Sequence, residues 1–359
     1  MNAAVPFFAA ERTWAEHGER YAQLMAEALA GGQALQGPAV RAFEAALAAR
    51  CGRAHAVAVG SGTDALAFAL LAAGVGPGDE VLVPAISFIA TASCVLRVGA
   101  VPVFVDVDPW LRLDLDAARA LVTPATRALL AVDLYGQTVD HVAFERFADE
   151  HGLTLVEDAA QALGATHAGA IGALSCCSFD PTKTIAAPGS GGAVLCDDDA
   201  LAAALRRLRW HGRDDAGRFA TLGHNSQLPT AAAAVLHAKL ASDARWTERR
   251  RAIAAAYDAA LAGTPHRPVG VAPGRDHVFH KYVLRTPDRT ALAAALAAAG
   301  VPTRVHYDRP LYREPVFGHR GRACPAAETA CREVLSLPIH AYLTDAEVEL
   351  VTTTLAAAS

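Results

Sequence analysis

The sequence predicts an α/β protein that has a large, mostly parallel sheet and a second, smaller domain. From residue 56 onward, short apolar runs alternate with longer segments of helical periodicity, which is typical of parallel strands joined by crossover helices. The chain has 359 residues, which is more than a single hydrophobic core usually accommodates. Because 53% of the residues are apolar, the chain can bury a large core. We therefore expect two folded domains that share an interface.

Six apolar runs are the candidate strands of the large sheet. They are AVAV (56–59), EVLVPA (80–85), VPVFVDV (101–107), ALLAVDLYG (128–136), LTLVEDA (153–159) and GAVLCDDD (192–199). After Pro229, a long alanine-rich helical stretch that ends at Gly263 is predicted to bridge the two domains.

The remainder of the chain predicts a small α+β unit. It would contain HKYVLRT (280–286), a helix from about Asp288 to Ala299, VPTRVHY (301–307) and the final amphipathic segment TDAEVELVTTTLAAA. The predicted boundary lies near residue 245. The large domain would then be residues 1–245, including the N-terminal segment, and the small C-terminal domain residues 246–359.

Charge, cysteine content and hydropathy argue against several classes of protein. A net charge of −5 without a functional basic patch predicts no nucleic-acid partner and no anionic membrane surface. The seven cysteines show no metal-ligand spacing, which predicts no metal site and favours a reducing cytoplasm. No secretory signal is recognised, and the longest uncharged run, Val81 to Leu96, is too short and too broken by Pro84 to span a membrane. We expect a cytoplasmic protein.

The first of three unusual loops at strand ends is VGSGTDAL, residues 59 to 66. Ligands bind beyond the carboxyl ends of the strands in an open parallel sheet, and a glycine-rich turn that opens a helix suits a phosphate. A helix N-cap by Ser61 or Thr63 is the plain structural alternative. Because the turn also reads G-x-G-x-x-A, a nicotinamide-dependent enzyme is a competing hypothesis. It is weakened because no acidic residue ends the next strand.

The second and third loops carry opposite charges. Glu157 and Asp158 follow LTLV, where a carboxylate needs a cationic partner unless Asp158 caps a helix. The third loop, SFDPTKTIAAPGSGG (178–192), contains Ser178 and Lys183, with no other lysine or arginine within twenty positions of Lys183. A lysine in a confined apolar pocket has a lowered pKa and can act as an amine nucleophile.

A phosphate cradle, an acid at a strand end and an isolated lysine are together the parts that hold pyridoxal 5'-phosphate (PLP). The lysine forms a Schiff base, the aspartate keeps the pyridine nitrogen protonated, and the glycine turn binds the phosphate. Phe88, in the loop after EVLVPA, either stacks on the cofactor ring or packs in the core.

Ten motifs, in order along nearly the whole chain, carry a resemblance to a known family. They are GSGTDAL, PGDEVLVPAISFIATA, GAVPVFVDVD, LYGQTVD, VEDAAQALGA, SFDPTK, GSGGAV, HNSQLPTAAAA, VHYDRP and LSLPIHAYLTDAEV. The sequence resembles the DegT/DnrJ/EryC1/StrS sugar aminotransferases, within the fold-type I PLP-dependent enzymes. The resemblance implies a seven-stranded, mostly parallel large domain, a small α+β C-terminal domain, and a homodimer with active sites at the subunit interface.

The same resemblance implies a PLP-dependent aminotransferase in amino-sugar biosynthesis. It would move an amino group from an amino acid, L-glutamate by this resemblance, to a keto-sugar carried on a nucleotide. An aminocyclitol transaminase, or other PLP chemistry on a sugar such as dehydration, is an alternative. A non-catalytic sensor protein that kept the fold is another.

Individual site residues follow from the resemblance. Lys183 would be the catalytic lysine, Asp158 the partner of the pyridine nitrogen, and Gln161 the neighbour of the ring's phenolic oxygen. The other implied contacts are Phe88 stacked on the ring, Gly62, Thr63 and Ser178 at the phosphate, Asn225 reaching the phosphate from the neighbouring subunit, and the HY pair His306 and Tyr307 near the sugar substrate.

Two further positions affect the implied chemistry. Related sugar dehydratases carry histidine where this chain has Lys183, which favours transamination. Gln227 stands where the family usually has an arginine, and the loss of that bidentate cation alters either a subunit contact or anion recognition. Arg304 and Arg309 flank the HY pair and either bind a diphosphate or carboxylate, or are solvated charges.

Overall fold

In the computed structural model, which describes residues 5–8, 10–318 and 322–358, the predicted large sheet is present. Its strands are β1 (His55–Val59), β2 (Glu80–Pro84), β3 (Val101–Val105), β4 (Thr126–Val132), β5 (Thr154–Asp158), β6 (Leu174–Ser178) and β7 (Gly192–Cys196). Their order across the sheet is β1-β7-β6-β5-β4-β2-β3. β7 runs antiparallel to both of its neighbours, and the other pairs are parallel.

Each of the six predicted runs contains a strand, whereas β6 was not among them. Its sequence, LSCCS, lacks the β-branched and aromatic residues that signal a strand. It lies in the centre of the sheet between β5 and β7, where its cysteines are buried like small apolar residues. Ser178, which was predicted to lie in a loop, is therefore the last residue of a strand.

Helices cover both faces of the large sheet. They include α2 (Pro38–Cys51), α3 (Gly62–Ala72), α4 (Ala90–Arg97), α5 (Leu115–Arg119), α6 (His141–His151), α7 (Asp199–Arg209) and α8 (Thr230–Leu240), and α1 (Ala10–Ala30) packs against α8. Alternate residues of β2 belong to different cores, because successive side chains of a strand point to opposite faces. Val81 and Val83 pack in the cluster that contains Phe68 of α3, whereas Leu82 packs with Phe144 of α6.

A second, antiparallel sheet lies in the C-terminal part of the chain. The elements are α9 (Asp243–Leu261), β8 (Arg267–Pro268), β9 (Tyr282–Arg285), α10 (Arg289–Ala298), α11 (Pro325–Glu333), β10 (Val334–Leu337) and α12 (Asp345–Ala357), and the strand order is β10-β9-β8. The single predicted bridging helix is instead two helices, α8 and α9, interrupted at residues 241–242. Residue 245 lies inside α9, and the division of the chain at that point stays a prediction.

The segment 301–307 forms no regular strand. It makes an isolated bridge between Arg304 and Ser336 of β10, with the amide of each residue donating to the carbonyl oxygen of the other. This irregular backbone positions the HY pair at the end of the small sheet.

The N-terminal segment packs against the C-terminal part of the chain. Val5 is fully buried in the cluster that contains Tyr257 and Leu296. Arg12 of α1 forms a two-pronged ion pair with Glu347 of α12, with nitrogen–oxygen distances of 2.7 and 2.5 Å. The N-terminal residues therefore contact the C-terminal part of the chain, while α1 also packs against α8, and their assignment to the large domain stays a prediction.

Candidate active site

The three loops meet beyond the carboxyl ends of the parallel strands, around a cavity of about 420 Å³. This volume is in the range of small-molecule and cofactor sites. The lining includes nearly all of the predicted site residues, namely Gly62, Thr63, Phe88, Asp158, Gln161, Ser178, Lys183, His306 and Tyr307.

The predicted phosphate cradle forms where α3 approaches the end of β6. The hydroxyl of Ser61 accepts a hydrogen bond from the amide of Asp64 at 3.0 Å, so Ser61 is the helix N-cap. The amides of Gly62 and Thr63 have no acceptor among the described residues and lie at the positive end of the helix dipole. A Cβ on Gly62 would lie 2.6 Å from Cβ of Ser178, so only glycine allows this approach. The cradle fits a phosphate dianion.

Asp158 is the last residue of β5 and is buried. Its Oδ2 accepts a hydrogen bond from Oγ1 of Thr91 at 2.8 Å, and its Oδ1 accepts one from the amide of Ala160 at 3.2 Å. Burial raises the pKa of Asp158, while Thr91 and the charge of Lys183 act in the opposite direction. No helix begins after Asp158, so the helix N-cap alternative is wrong.

Lys183 lies in the loop that follows β6, and its amide donates to the carbonyl oxygen of Asp180 at 2.9 Å. Burial lowers the pKa of its amine, against the attraction of Asp158 and Asp180. A lowered pKa increases the fraction of neutral, nucleophilic amine near pH 7. An amine nucleophile, a buried carboxylate and a phosphate cradle therefore share one cavity, and this set of groups fits PLP.

Tyr135 connects Gln161 with the HY pair. Oε1 of Gln161 accepts a hydrogen bond from the amide of Tyr135 at 2.9 Å, and the hydroxyl of Tyr135 donates to the carbonyl oxygen of His306. Nδ1 of His306 is 2.8 Å from the hydroxyl oxygen of Ser336. Burial lowers the pKa of His306 to about 3, so its imidazole is neutral at physiological pH.

Asn225 does not line this cavity. Its side chain is exposed, and its Oδ1 accepts a hydrogen bond from Nε2 of Gln227 at 3.1 Å. Gln36 in turn donates to Oε1 of Gln227 at 2.5 Å. Nearby, Phe219 and Leu222 are 74% and 89% exposed. A contact between Asn225 and a phosphate therefore requires a second copy of the chain and stays a prediction.

The two arginines that flank the HY pair differ in their surroundings. The guanidinium carbon of Arg304 lies 5.4 Å from the ring centres of both Phe7 and Phe8. Arg309 is exposed and pairs with Asp308 at 3.3 Å and with Glu314 at 3.6 Å, which favours a solvated charge.

Several residues that line the site or orient its side chains were not predicted from the sequence. Thr91 and Ser87 orient the Asp158 carboxylate, with 2.7 Å between the two hydroxyl oxygens. Phe8, His280 and Lys281 come from distant parts of the chain and line the same cavity. The motif PGDEVLVPAISFIATA includes Ser87 and Thr91, but its spacing does not show that their hydroxyls reach Asp158.

Comparison with known proteins identifies the family. Residues 15–356 match the model of the DegT/DnrJ/EryC1/StrS aminotransferase family. The chain belongs to this family. The assignment confirms the resemblance and favours PLP chemistry over the nicotinamide hypothesis.

Individual members of the aminotransferase family match over almost the entire chain. The chain is 42% identical to dTDP-3-amino-3,4,6-trideoxy-alpha-D-glucose transaminase of Streptomyces venezuelae, over 94% of this chain and 92% of the relative. It is 40% identical to a pleiotropic regulatory protein of Geobacillus stearothermophilus, over 93% and 94%. The crystal structure of NtdA from Bacillus subtilis with bound cofactor PMP superposes with a TM-score of 0.94 at 29% identity, covering 100% of this chain and 86% of NtdA.

Two features of the described residues bear on other classes of protein. No helix among them is long and apolar enough to cross a membrane. Within the same residues, no group of histidine, cysteine, aspartate or glutamate side chains is arranged to hold a metal ion.

Proposed function

We propose that this family member is a PLP-dependent aminotransferase that moves an amino group from an amino acid to a keto-sugar carried on a nucleotide. The observation that carries the proposal is the convergence of Lys183, Asp158 and the Gly62 cradle on one cavity. The aminotransferase family and the nucleotide-sugar transaminase of S. venezuelae support the same reaction class.

Each cofactor contact has a physical reason in this chain. The free amides of Gly62 and Thr63, with the hydroxyl of Ser178, bind the phosphate. Asp158, held by Thr91, keeps a proton on the pyridine nitrogen. Phe88 lines the cavity and is 52% exposed, which leaves its ring free to stack on the cofactor. When bound, PLP supplies the electron sink that acidifies the α-proton of the donor.

Lys183 performs two tasks in turn. Its Nζ would hold the cofactor between turnovers, and the amine would be released when the donor amino acid binds. The released amine then removes the proton from Cα of the amino acid, and in the second half of the reaction it delivers a proton to the sugar carbon that receives nitrogen. The lowered pKa of Lys183 suits it to remove and return a proton near neutral pH.

We further propose a homodimer with shared active sites and a cytoplasmic location. The exposed apolar side chains of Phe219 and Leu222 lie on the segment that leads to Asn225, which is consistent with burial against a second copy. Asn225 would then contact the phosphate bound by the partner. All seven cysteines are buried free thiols, which agrees with a reducing compartment.

The test begins with the absorption spectrum of the protein loaded with PLP, before and after addition of L-glutamate. We expect the band of lysine-bound PLP in the wild type, its loss on addition of glutamate, and neither feature in Lys183→Ala. Reduction with borohydride followed by peptide mapping gives an independent readout, because the chain has only three lysines, Lys183, Lys239 and Lys281. The label should be on Lys183 alone.

Two outcomes would overturn parts of the proposal. Amine transfer by Lys183→Ala at the wild-type rate would remove the lysine from the mechanism. A loaded wild type that accepts nitrogen from no amino acid would favour a sensor, a role in keeping with the regulatory name of the G. stearothermophilus relative. Amine transfer is then measured with keto-sugars on different nucleotides and with aminocyclitol precursors, which distinguishes the classes of acceptor.

A further inference from the structure

Lys281 places a second amine in the cavity, and among the described residues this amine has no hydrogen-bond or ion-pair partner, although its Nζ lies over the rings of Phe7 and Phe8. Its side chain is only 9% exposed and lines the cavity together with Lys183. Its backbone amide donates to the carbonyl oxygen of Tyr135 at 3.1 Å, which fixes it beside the HY pair. Nothing in the described part of the chain accepts a hydrogen bond from its Nζ, and no carboxylate lies within ion-pair distance.

The charges around Lys281 are mainly positive. Burial first, and then Lys183, Arg250 and Arg304, lower its pKa to about 7, and only Asp180 has the opposite effect. Arg250 donates to the carbonyl oxygens of Phe279 and Ile339, so it has neutral partners of its own. A buried cation without an anion is costly, so part of the Lys281 amine is neutral near pH 7, and an anionic ligand bound beside it would favour the charged form.

The choice of lysine at this position is itself informative. The protein has 32 lysine and arginine residues, and only three of these are lysines. All three line the interior around the Lys183 loop. Lys239 donates to the carbonyl oxygen of Ala186 at 2.6 Å, and Lys183 has its proposed role in catalysis. Lys281 is then the lysine that has no role so far. In a chain whose basic residues are mostly arginine, this position carries a compact ammonium group instead of a planar guanidinium.

We propose that the Lys281 ammonium binds a carboxylate of the amino-acid donor. This inference rests on the proposed aminotransferase function and assigns the donor contact that the sequence left open. Once Lys183 is bound to the cofactor, Lys281 is the free ammonium that remains beside it in the cavity lining. His306 is neutral and cannot replace it.

The depth of Lys281 favours a carboxylate over the diphosphate of a nucleotide-sugar. A diphosphate lies between a sugar and a nucleoside, so it must sit where the nucleoside can extend out of the cavity. Lys281 is nine-tenths buried and is covered by Phe8, whose ring centre is 5.2 Å from Nζ. A small terminal carboxylate fits such a position, whereas Arg304, which is exposed, lies nearer to solvent.

The experiment measures the two half-reactions separately in Lys281→Met, Lys281→Arg and the control Arg309→Met. Methionine removes the charge from an unbranched side chain, and Arg309 is a surface cation with its own acidic partners. In Lys281→Met we expect the glutamate concentration for half-maximal rate to rise about 10- to 100-fold, as for loss of a charged hydrogen bond. Lys281→Arg should restore part of the lost glutamate affinity, and Arg309→Met should have the same glutamate dependence as the wild type.

Two further readouts separate binding from chemistry. Glutarate, a dicarboxylate that cannot react, should bind the loaded Lys281→Met variant about 10-fold or more weakly by calorimetry. The ligand-free variant should melt at or above the wild-type temperature, because it no longer buries an unpaired cation. The reverse half-reaction with an amino-sugar nucleotide should change less than about twofold, well below the loss expected for a charged contact.

Each alternative result contradicts the inference. Unchanged glutamate dependence and unchanged glutarate binding in Lys281→Met would remove Lys281 from donor binding. Weaker substrate binding in Lys281→Met that is confined to the nucleotide-sugar half-reaction would show that Lys281 contacts a phosphate and not the donor carboxylate. A wild type that reacts with no amino acid would refute the proposed function itself, and the donor site with it. If the methionine variant does not fold, glutarate affinity equal to wild type in Lys281→Gln would equally refute the assignment.

Discussion

Gly62→Ala tests the phosphate cradle with the smallest possible change. The added Cβ would lie 2.6 Å from Cβ and 2.9 Å from Oγ of Ser178. Rotation of the Ser178 side chain moves Oγ but leaves its Cβ in place, so relief requires a shift of α3 relative to β6. The two carbons have to separate by about 0.8 Å to reach an ordinary contact of 3.4 Å.

Such a shift moves the two sides of the cradle apart. The amides at the start of α3 and the hydroxyl of Ser178 can then no longer all reach one phosphate. Loss of one hydrogen bond to a charged group costs about 1.5–3 kcal/mol, which corresponds to a roughly 10- to 150-fold weaker affinity for PLP. The overpacking itself is expected to destabilise the ligand-free fold by about 1–3 kcal/mol.

The assay is a titration of ligand-free protein with PLP, followed by absorbance, together with thermal melting with and without PLP. Gly76→Ala is the matched control, because Gly76 has no atom within 4 Å of an added Cβ and a φ outside the left-handed region. It should keep wild-type affinity and melting temperature. PLP affinity of Gly62→Ala within twofold of the wild type would show that the phosphate does not bind between α3 and Ser178.

Two other predictions concern the proposed dimer and the attachment of the N-terminal segment. Asn225→Ala should release PLP faster on dialysis than the wild type. It should keep the wild-type melting temperature, because the Asn225 side chain is exposed. A wild type that is fully loaded with PLP by absorbance and monomeric by light scattering would contradict this prediction. Arg12 and the N-terminus of α12 lower the pKa of Glu347 from 4.5 to about 2, so its contribution to stability is present above pH 4.5 and is lost as the pH falls towards 2. Because this pair is partly exposed, we expect Glu347→Gln to reduce the free energy of unfolding at pH 7 by only about 1 kcal/mol, and to abolish that part of the acid dependence. Equal acid dependence in both proteins would exclude Glu347 as the titrating group.

The strands that the sequence predicted contain short, continuous apolar runs. In β2 and β3 these runs are also rich in valine, which suits strands that are buried on both faces. β6 was not predicted, because cysteine and serine do not indicate a strand. Its position between β5 and β7 buries these residues. The segment 301–307 shows the opposite error, because its apolar pattern resembles that of a strand. Its valines are packed, but its backbone makes only a single bridge.

The site could be predicted to the extent that its residues follow strand ends. Lys183, Asp158 and Gly62 lie at or just beyond the carboxyl ends of β6, β5 and β1, which the sheet topology brings to one edge. Thr91 and Lys281 reach the same cavity from a helix and from the C-terminal sheet region, and no local pattern encodes those distances. The apparent isolation of Lys183 was true only along the chain, because in space its neighbours include Lys281 and His280.

The placement of these cations gives the cavity a consistent electrostatic character. Lys183 and Lys281 line it with amino groups, whereas Asp158 and Asp180 supply carboxylates, and under the proposed function Asp158 would bind the pyridine nitrogen. Burial, followed by the charges of Lys183, Arg250 and Arg304, lowers the pKa of Lys281, and because the cofactor phosphate and the donor carboxylates are anions, each ligand would act against this effect. Under the two proposals, donor binding should therefore favour the protonated form of Lys281. Under the two proposals, Lys281 would hold the donor carboxylate and Lys183 would move the proton of the donor.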